Sequence, residues 1–144
     1  MRYLGLSALA VSIAALLSCS ANSPKPAPEA SAYARLQTIP AADPAKFGNV
    51  RDYKSWRNPY VIIRKDGVGL LDLANNEQRL LKVEELPDAL ARLSQSAWPY
   101  GRVVAVAEDS VSSPGDDVLI RKNRGIVAGT LESLHILVNW VPSA

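Results

Sequence analysis

The chain has 144 residues, a length that favours one domain, and its 48% apolar and 21% charged residues are ordinary for a globular chain. The formal charge is +2, or +1 with 15 basic against 14 acidic residues once Arg2 is set aside, so there is no clustered cationic surplus of the kind nucleic acid requires. A single cysteine rules out an internal disulfide, which leaves the fold to be held by its core alone.

The N-terminus starts Met1-Arg2-Tyr3 and continues with about 14 apolar or small residues at positions 4–17, then Ser18-Cys19. A basic start, a short apolar run and a small-residue exit make an export signal. The run is shorter than the ~20 apolar residues that a retained membrane-spanning helix needs. Leu16-Leu17-Ser18-Cys19 resembles the lipobox of bacterial lipoprotein precursors, although that family prefers a smaller residue where Leu17 stands. The resemblance implies cleavage before Cys19 and acylation of its thiol, with further acylation of the new amino group. It places the protein in the bacterial cell envelope, anchored to membrane lipid through Cys19 and facing the periplasm. Ser20 after the cysteine favours the outer membrane by analogy with enteric lipoproteins. The alternative reading is ordinary cleavage nearby, for instance after Ala21. Two or three acyl chains anchor stably where one binds only marginally.

Residues 20–46 shift to Ala, Pro and Ser, with Pro24, Pro26, Pro28, Pro40 and Pro44. Proline removes donors and there is little to bury, so an extended spacer is expected. At ~3.1 Å per residue, about 26 such residues reach roughly 80 Å. A short helix over residues 31–37 is conceivable, with no packing face evident to support it. The expected division is a signal peptide at 1–18, a lipidated cysteine and tether at 19–46, and a folded envelope domain at 47–144.

Within that domain, Tyr60-Val61-Ile62-Ile63-Arg64-Lys65 and Val68-Gly69-Leu70-Leu71-Asp72-Leu73 flank Asp66-Gly67, a hairpin signal because both central residues of a type I′ turn take positive φ. Asn75-Asn76 repeats the signal before a third strand over 78–83. Glu84, Glu85 and Pro87 suit a helix start, and Leu86, Leu90, Leu93 and Ala97 form one apolar stripe. Residues 102–107 read as a strand, and Pro114-Gly115 breaks the loop after it. Residues 117–131 fit a helix with Ile120, Val127, Leu131 and Leu134 inward, or a hairpin pairing 118–121 with 126–128. The helix is preferred, although Gly125 and Gly129 each weaken it by ~1 kcal/mol relative to alanine. A last strand alternates Leu134, Ile136, Val138 and Trp140 with His135, Leu137 and Asn139. The expected fold is an α+β two-layer βββαβαβ sheet-and-helix domain, leaning antiparallel.

That order, the strand–Asp66-Gly67–strand unit at 60–72, the 86–94 helix, Pro99-Tyr100-Gly101-Arg102-Val103-Val104 and the closing helix–strand pair together resemble the periplasmic domain of the ExbD/TolR biopolymer-transport family, over roughly 80 of the 144 residues. The resemblance implies self-pairing or contact with a partner protein or wall polymer. It does not extend to proton-driven motor work, because that family's membrane helix carries an acidic residue and residues 3–18 carry none.

Few residues point to chemistry. His135 has neither a second histidine nor a free thiol to complete a transition-metal site, and it reads as a surface or lightly buried strand residue. Glu108-Asp109 and Asp116-Asp117 flank one loop without the spacing of a calcium loop, which favours a solvated loop and helix cap. Ser112 and Ser113 lack a nucleophile elbow, and no phosphate-binding glycine motif occurs. No enzyme activity, cofactor or metal is expected. Residues 51–60 interleave cations with aromatics, and with Trp98 and Tyr100 nearby they form a possible ligand or partner patch of Tyr53, Trp56, Arg57, Trp98 and Tyr100. The competing reading, which is preferred, has Tyr53 and Trp56 closing one end of the core. Two functions follow: an envelope module that binds a protein partner or itself as a homodimer, and a peptidoglycan- or glycan-binding lipoprotein that uses the aromatic–basic patch.

Overall fold

The computed structural model describes residues 28–50 and 53–142. Along the chain run α1 (Pro28–Leu36), α2 (Pro44–Phe47), β1 (Tyr60–Arg64), β2 (Gly67–Asp72), β3 (Glu77–Leu81), α3 (Leu86–Ala91), β4 (Val103–Glu108), α4 (Pro114–Ser133) and β5 (Leu137–Trp140). From β1 onward this is the expected βββαβαβ order of an α+β domain. The sheet order is β3-β2-β1-β4-β5. β1, β2 and β3 form an antiparallel meander, whereas β4 lies parallel to β1 and β5 parallel to β4. The sheet is therefore evenly mixed rather than leaning antiparallel. The helix between β4 and β5 makes a crossover that returns the chain in the same direction.

Strand alternation gives the sheet two apolar faces. On one, Val61, Ile63, Val68, Leu70, Val104, Val106 and Ile136 meet Leu36 of α1, Leu86 and Leu90 of α3, and Ile120, Val127 and Leu131 of α4. On the other, Tyr60, Val103, Ala105 and Ala107 cluster with Trp56, against which Phe47, Val50, Leu71 and Tyr100 pack. β4 is buried on both faces, as a near-continuous apolar run in a parallel pair should be. Its alternate alanines leave room for the Trp56 ring.

The largest difference from the expected division is that the folded body already includes residues 28–46, ahead of Phe47. Ala32, Leu36 and Ile39 supply the packing face that the composition had hidden, and all three are buried. α1 lies against α3. Beyond it the chain runs along the start of β4: Arg102 donates its N–H to the Pro40 carbonyl at 2.9 Å, Asp43 donates to the Tyr100 carbonyl at 2.9 Å, and Ala41 bridges Arg102 in parallel. The residues read as the second half of a tether are thus docked on the domain, because a proline-rich segment with an apolar residue every three or four positions still has something to bury.

Smaller differences are local. Arg64 pairs with Gly67, so the first hairpin turns on Lys65-Asp66 and not on Asp66-Gly67. Gly67 (φ +147°) opens β2 instead, where a Cβ would lie 2.2 Å from the Leu81 carbonyl oxygen. The second turn spans residues 73–76 with only Asn76 at positive φ. Asp72, buried at its start, accepts from the Ala74 N–H at 3.1 Å and the Asn75 side chain at 2.8 Å, an Asx turn. The helix expected over 86–97 stops at Ala91, because Ser94 turns extended before a 3-10 turn at Gln95–Ala97. Residues 114–133 form one helix, the preferred reading over the hairpin. Ser113 caps it, accepting from the Asp116 N–H, and Gly125 and Gly129 lie on its exposed side. β5 begins at Leu137, and His135 lies before it in the turn after α4 with φ +54°. Among the described residues no helix is long and apolar enough to cross a membrane. Cys19 and the signal and lipobox residues lie outside the described part.

Candidate interaction surface

The residues of the aromatic–basic segment do not form one surface. Trp56 is buried, donating its indole N–H to the Pro59 carbonyl at 3.2 Å and meeting Tyr100 and Phe47 edge-on at ring distances of 5.2 and 5.9 Å. Tyr100 is half-buried beside it, with its hydroxyl donating to the Ser55 carbonyl at 3.2 Å. Trp98 is also buried, but among the helices on the opposite face of the sheet. Its indole nitrogen has no hydrogen-bond partner among the described residues. Arg57 is exposed. Tyr53 starts a 3-10 turn at Tyr53–Ser55, and its side chain falls outside the described part, as do Arg51 and Asp52. Trp56 and Tyr100 therefore close one end of the second core, and neither Trp56 nor Trp98 is left open for stacking on a sugar.

The hinge of this region is a residue that sequence reasoning passed over. Asn58 is fully buried, and its amide donates to the carbonyls of Gly101 at 2.7 Å and Val103 at 2.8 Å while accepting from the Tyr100 N–H at 2.9 Å. One side chain thus satisfies three backbone groups where β4 enters the sheet. The only legible signal was an asparagine between a tryptophan and a proline.

The acidic loop is internally neutralised. Glu108 meets Arg124 at 2.9 Å, Asp109 meets Arg64 at 3.7 Å, Asp116 meets Lys65 at 3.2 Å, and Asp117 pairs with Arg121 one turn along α4. The hydrogen bond and charge of Asp117 raise the Arg121 guanidinium above its ordinary value, which only reinforces a charge it already carries. Among the described residues no group of three or more His, Cys, Asp or Glu is placed to hold a metal ion. His135 is exposed, its Nδ1 3.3 Å from the Tyr33 hydroxyl of α1 and its ring edge-on to that tyrosine. The pair fastens α1 to the end of α4.

Exposed large apolar residues lie on α4 (Val118, Leu119 and Ile126), in the loop before it (Val111), on α1 (Tyr33) and at the two sheet edges. β5 is the outermost strand on one side, and Leu137 and Trp140 are 48% and 42% exposed there, one toward each face. Arg124 of α4 lies 4.5 Å above the Trp140 ring while holding Glu108. At the opposite edge Leu80 of β3 is 66% exposed, flanked by the charged Glu77, Arg79 and Lys82 that discourage pairing. The β5 edge has no such guard on its own strand. Trp140 shares a face with Ile136 and Val138, but with no strand beyond β5 among the described residues that face is only half covered. Compared with known proteins, the chain matches no family model, and no curated protein or solved structure is significantly similar to it.

Proposed function

We propose that this protein is a lipid-anchored, non-enzymatic module of the bacterial cell envelope that binds a protein partner, or a second copy of itself, along its β5 edge. The observation that carries the reading is the pairing of an unguarded edge strand with an exposed Trp140 stacked under Arg124. An added strand would pair along the outer edge of β5, which has no strand neighbour among the described residues, while tryptophan and arginine are the side chains most often found at the energetic centre of an interface. The likeness to the ExbD/TolR periplasmic domain supports the same class of role. The glycan alternative has less support, since Trp56 and Trp98 are both spent on packing.

Two results are expected. Crosslinking in whole envelopes from a photoreactive residue at position 137 captures a discrete protein or a dimer of this chain. Trp140→Ala reduces that capture about 30-fold, the equivalent of a ~2 kcal/mol interface residue, and leaves thermal unfolding within about 0.5 kcal/mol of the parent. A purified domain that stays monomeric, together with envelopes that yield no crosslinked protein, sinks the reading. For the anchor, inhibiting the lipoprotein signal peptidase causes the uncut precursor to accumulate, and the N-terminal peptide of the mature protein carries acyl chains on Cys19. A mature N-terminal peptide with an unmodified Cys19 contradicts lipid attachment there.

A further inference from the structure

We infer that the folded body is held at the bilayer surface, within about 30 Å of its acyl anchor, so that its protein partner is one presented at that same surface. The inference rests on the acylation of Cys19 proposed above. Between Cys19 and Pro28, the first residue of α1, lie eight residues, 20–27. Whatever conformation they adopt, a chain spans at most ~3.3–3.6 Å per residue, and the nine steps from Cys19 to Pro28 therefore reach about 30 Å. Had the body begun at Phe47, the same anchor would have allowed roughly 80 Å or more.

The short reach depends on the attachment of α1 and the segment after it, and that attachment is extensive. Ala32, Leu36 and Ile39 are buried in the main core. Gln37 donates to the Leu134 carbonyl at 3.1 Å and accepts from Arg102, while Tyr33 meets His135. Backbone bonds continue at Pro40 and Asp43, and Gly101, at φ +78°, lets the Ala41 backbone approach closer than any Cβ would permit. A segment fastened at both ends by apolar burial and hydrogen bonds is part of the body, not of the leash. A body of about 115 residues is roughly 35 Å across by the usual size scaling, so even its far side stays within about 65 Å of the anchor. The unpaired β5 edge is then offered to proteins embedded in or bound to the membrane, in preference to a polymer farther out.

The test is neutron reflectometry of the full acylated chain in a supported bilayer, with the mass of its N-terminal peptide measured on the same sample. The expected result is an acylated Cys19 and protein density that begins within about 30 Å of the headgroups. A 20-residue Gly/Ser insertion between Ala27 and Pro28 should shift that density outward by roughly 13 Å without altering the melting curve. In the unmodified chain the peptide bond after Arg35 should resist trypsin while the body is folded. Acylated protein whose density begins well beyond 30 Å, or rapid cleavage after Arg35 in the native chain, overturns the inference and leaves the anchoring reading intact. An unmodified Cys19 overturns both. Crosslinks from β5 that run to wall polymer and not to a membrane-associated protein also count against the inference.

Discussion

Replacing Asn58 with alanine is expected to lower the free energy of unfolding by about 3 kcal/mol, a large share of the 5–15 kcal/mol typical of a domain. The substitution removes the side-chain partner of the Val103 carbonyl and the Tyr100 N–H in a site with no access to water, and leaves the Gly101 carbonyl with the Val103 N–H alone. Each orphaned group costs ~1–3 kcal/mol, and partial relaxation keeps the sum below the full penalties. For a domain of this size the melting temperature should fall by roughly 15 °C. Asn58→Asp should be worse at neutral pH, because it removes both amide donations and turns a carboxylate toward two carbonyl oxygens. Burial among acceptors would raise that carboxyl's folded pKa above its unfolded value. The variant should therefore be relatively most stable below the unfolded carboxyl pKa and lose stability as pH rises. Urea titrations followed by tryptophan fluorescence at two pH values measure both effects. An alanine variant with an unshifted midpoint would show that these bonds carry no net weight.

Gly101→Val is the second large effect, with an expected loss of about 4 kcal/mol and release of the N-terminal arm. At φ +78° any L side chain is strained by ~1–2 kcal/mol, and here the new Cβ would lie 2.2 Å from the Ala41 carbonyl oxygen. Backbone cannot rotate away as a side-chain tip can, so residues 40–43 must lift off. With them would go the Arg102–Pro40 and Asp43–Tyr100 hydrogen bonds. Hydrogen exchange should accelerate at Ile39, Arg102 and Asp43 in the variant while the β1–β2 amides keep their protection. Uniform behaviour across both regions would mean the arm and the sheet unfold as one unit, and an unchanged melting curve would mean the arm is not docked.

These two residues also mark what could and could not be read in advance. Runs of β-branched residues around residues 60–73 located the first hairpin, but the turn itself slid one residue because Gly67 is needed beside the Leu81 carbonyl and not in the bend. Ile120, Val127, Leu131 and Leu134 identified the inner side of α4 despite its two glycines, and all four are buried. By contrast, the spacing of Ala32, Leu36 and Ile39 was lost in a proline- and alanine-rich background. Trp56 and Trp98 looked like neighbours in one patch because each lies beside cations or aromatics in the chain. The sheet passes between them, and both rings are consumed by packing.

Local pattern by itself thus determined the kind and order of the elements from β1 onward, since hydrophobic periodicity and turn residues act over a few positions and are written into the chain. Tertiary structure alone decided that β4 enters between β1 and β5, that β5 is left as an open edge with Leu137 and Trp140 uncovered, and that the segment after Pro28 belongs to the body. Burial is a property of neighbours. An apolar residue becomes core or surface according to which element lies across from it, and contacts between residues as distant as Gln37 and Arg102 leave no periodic trace in either segment.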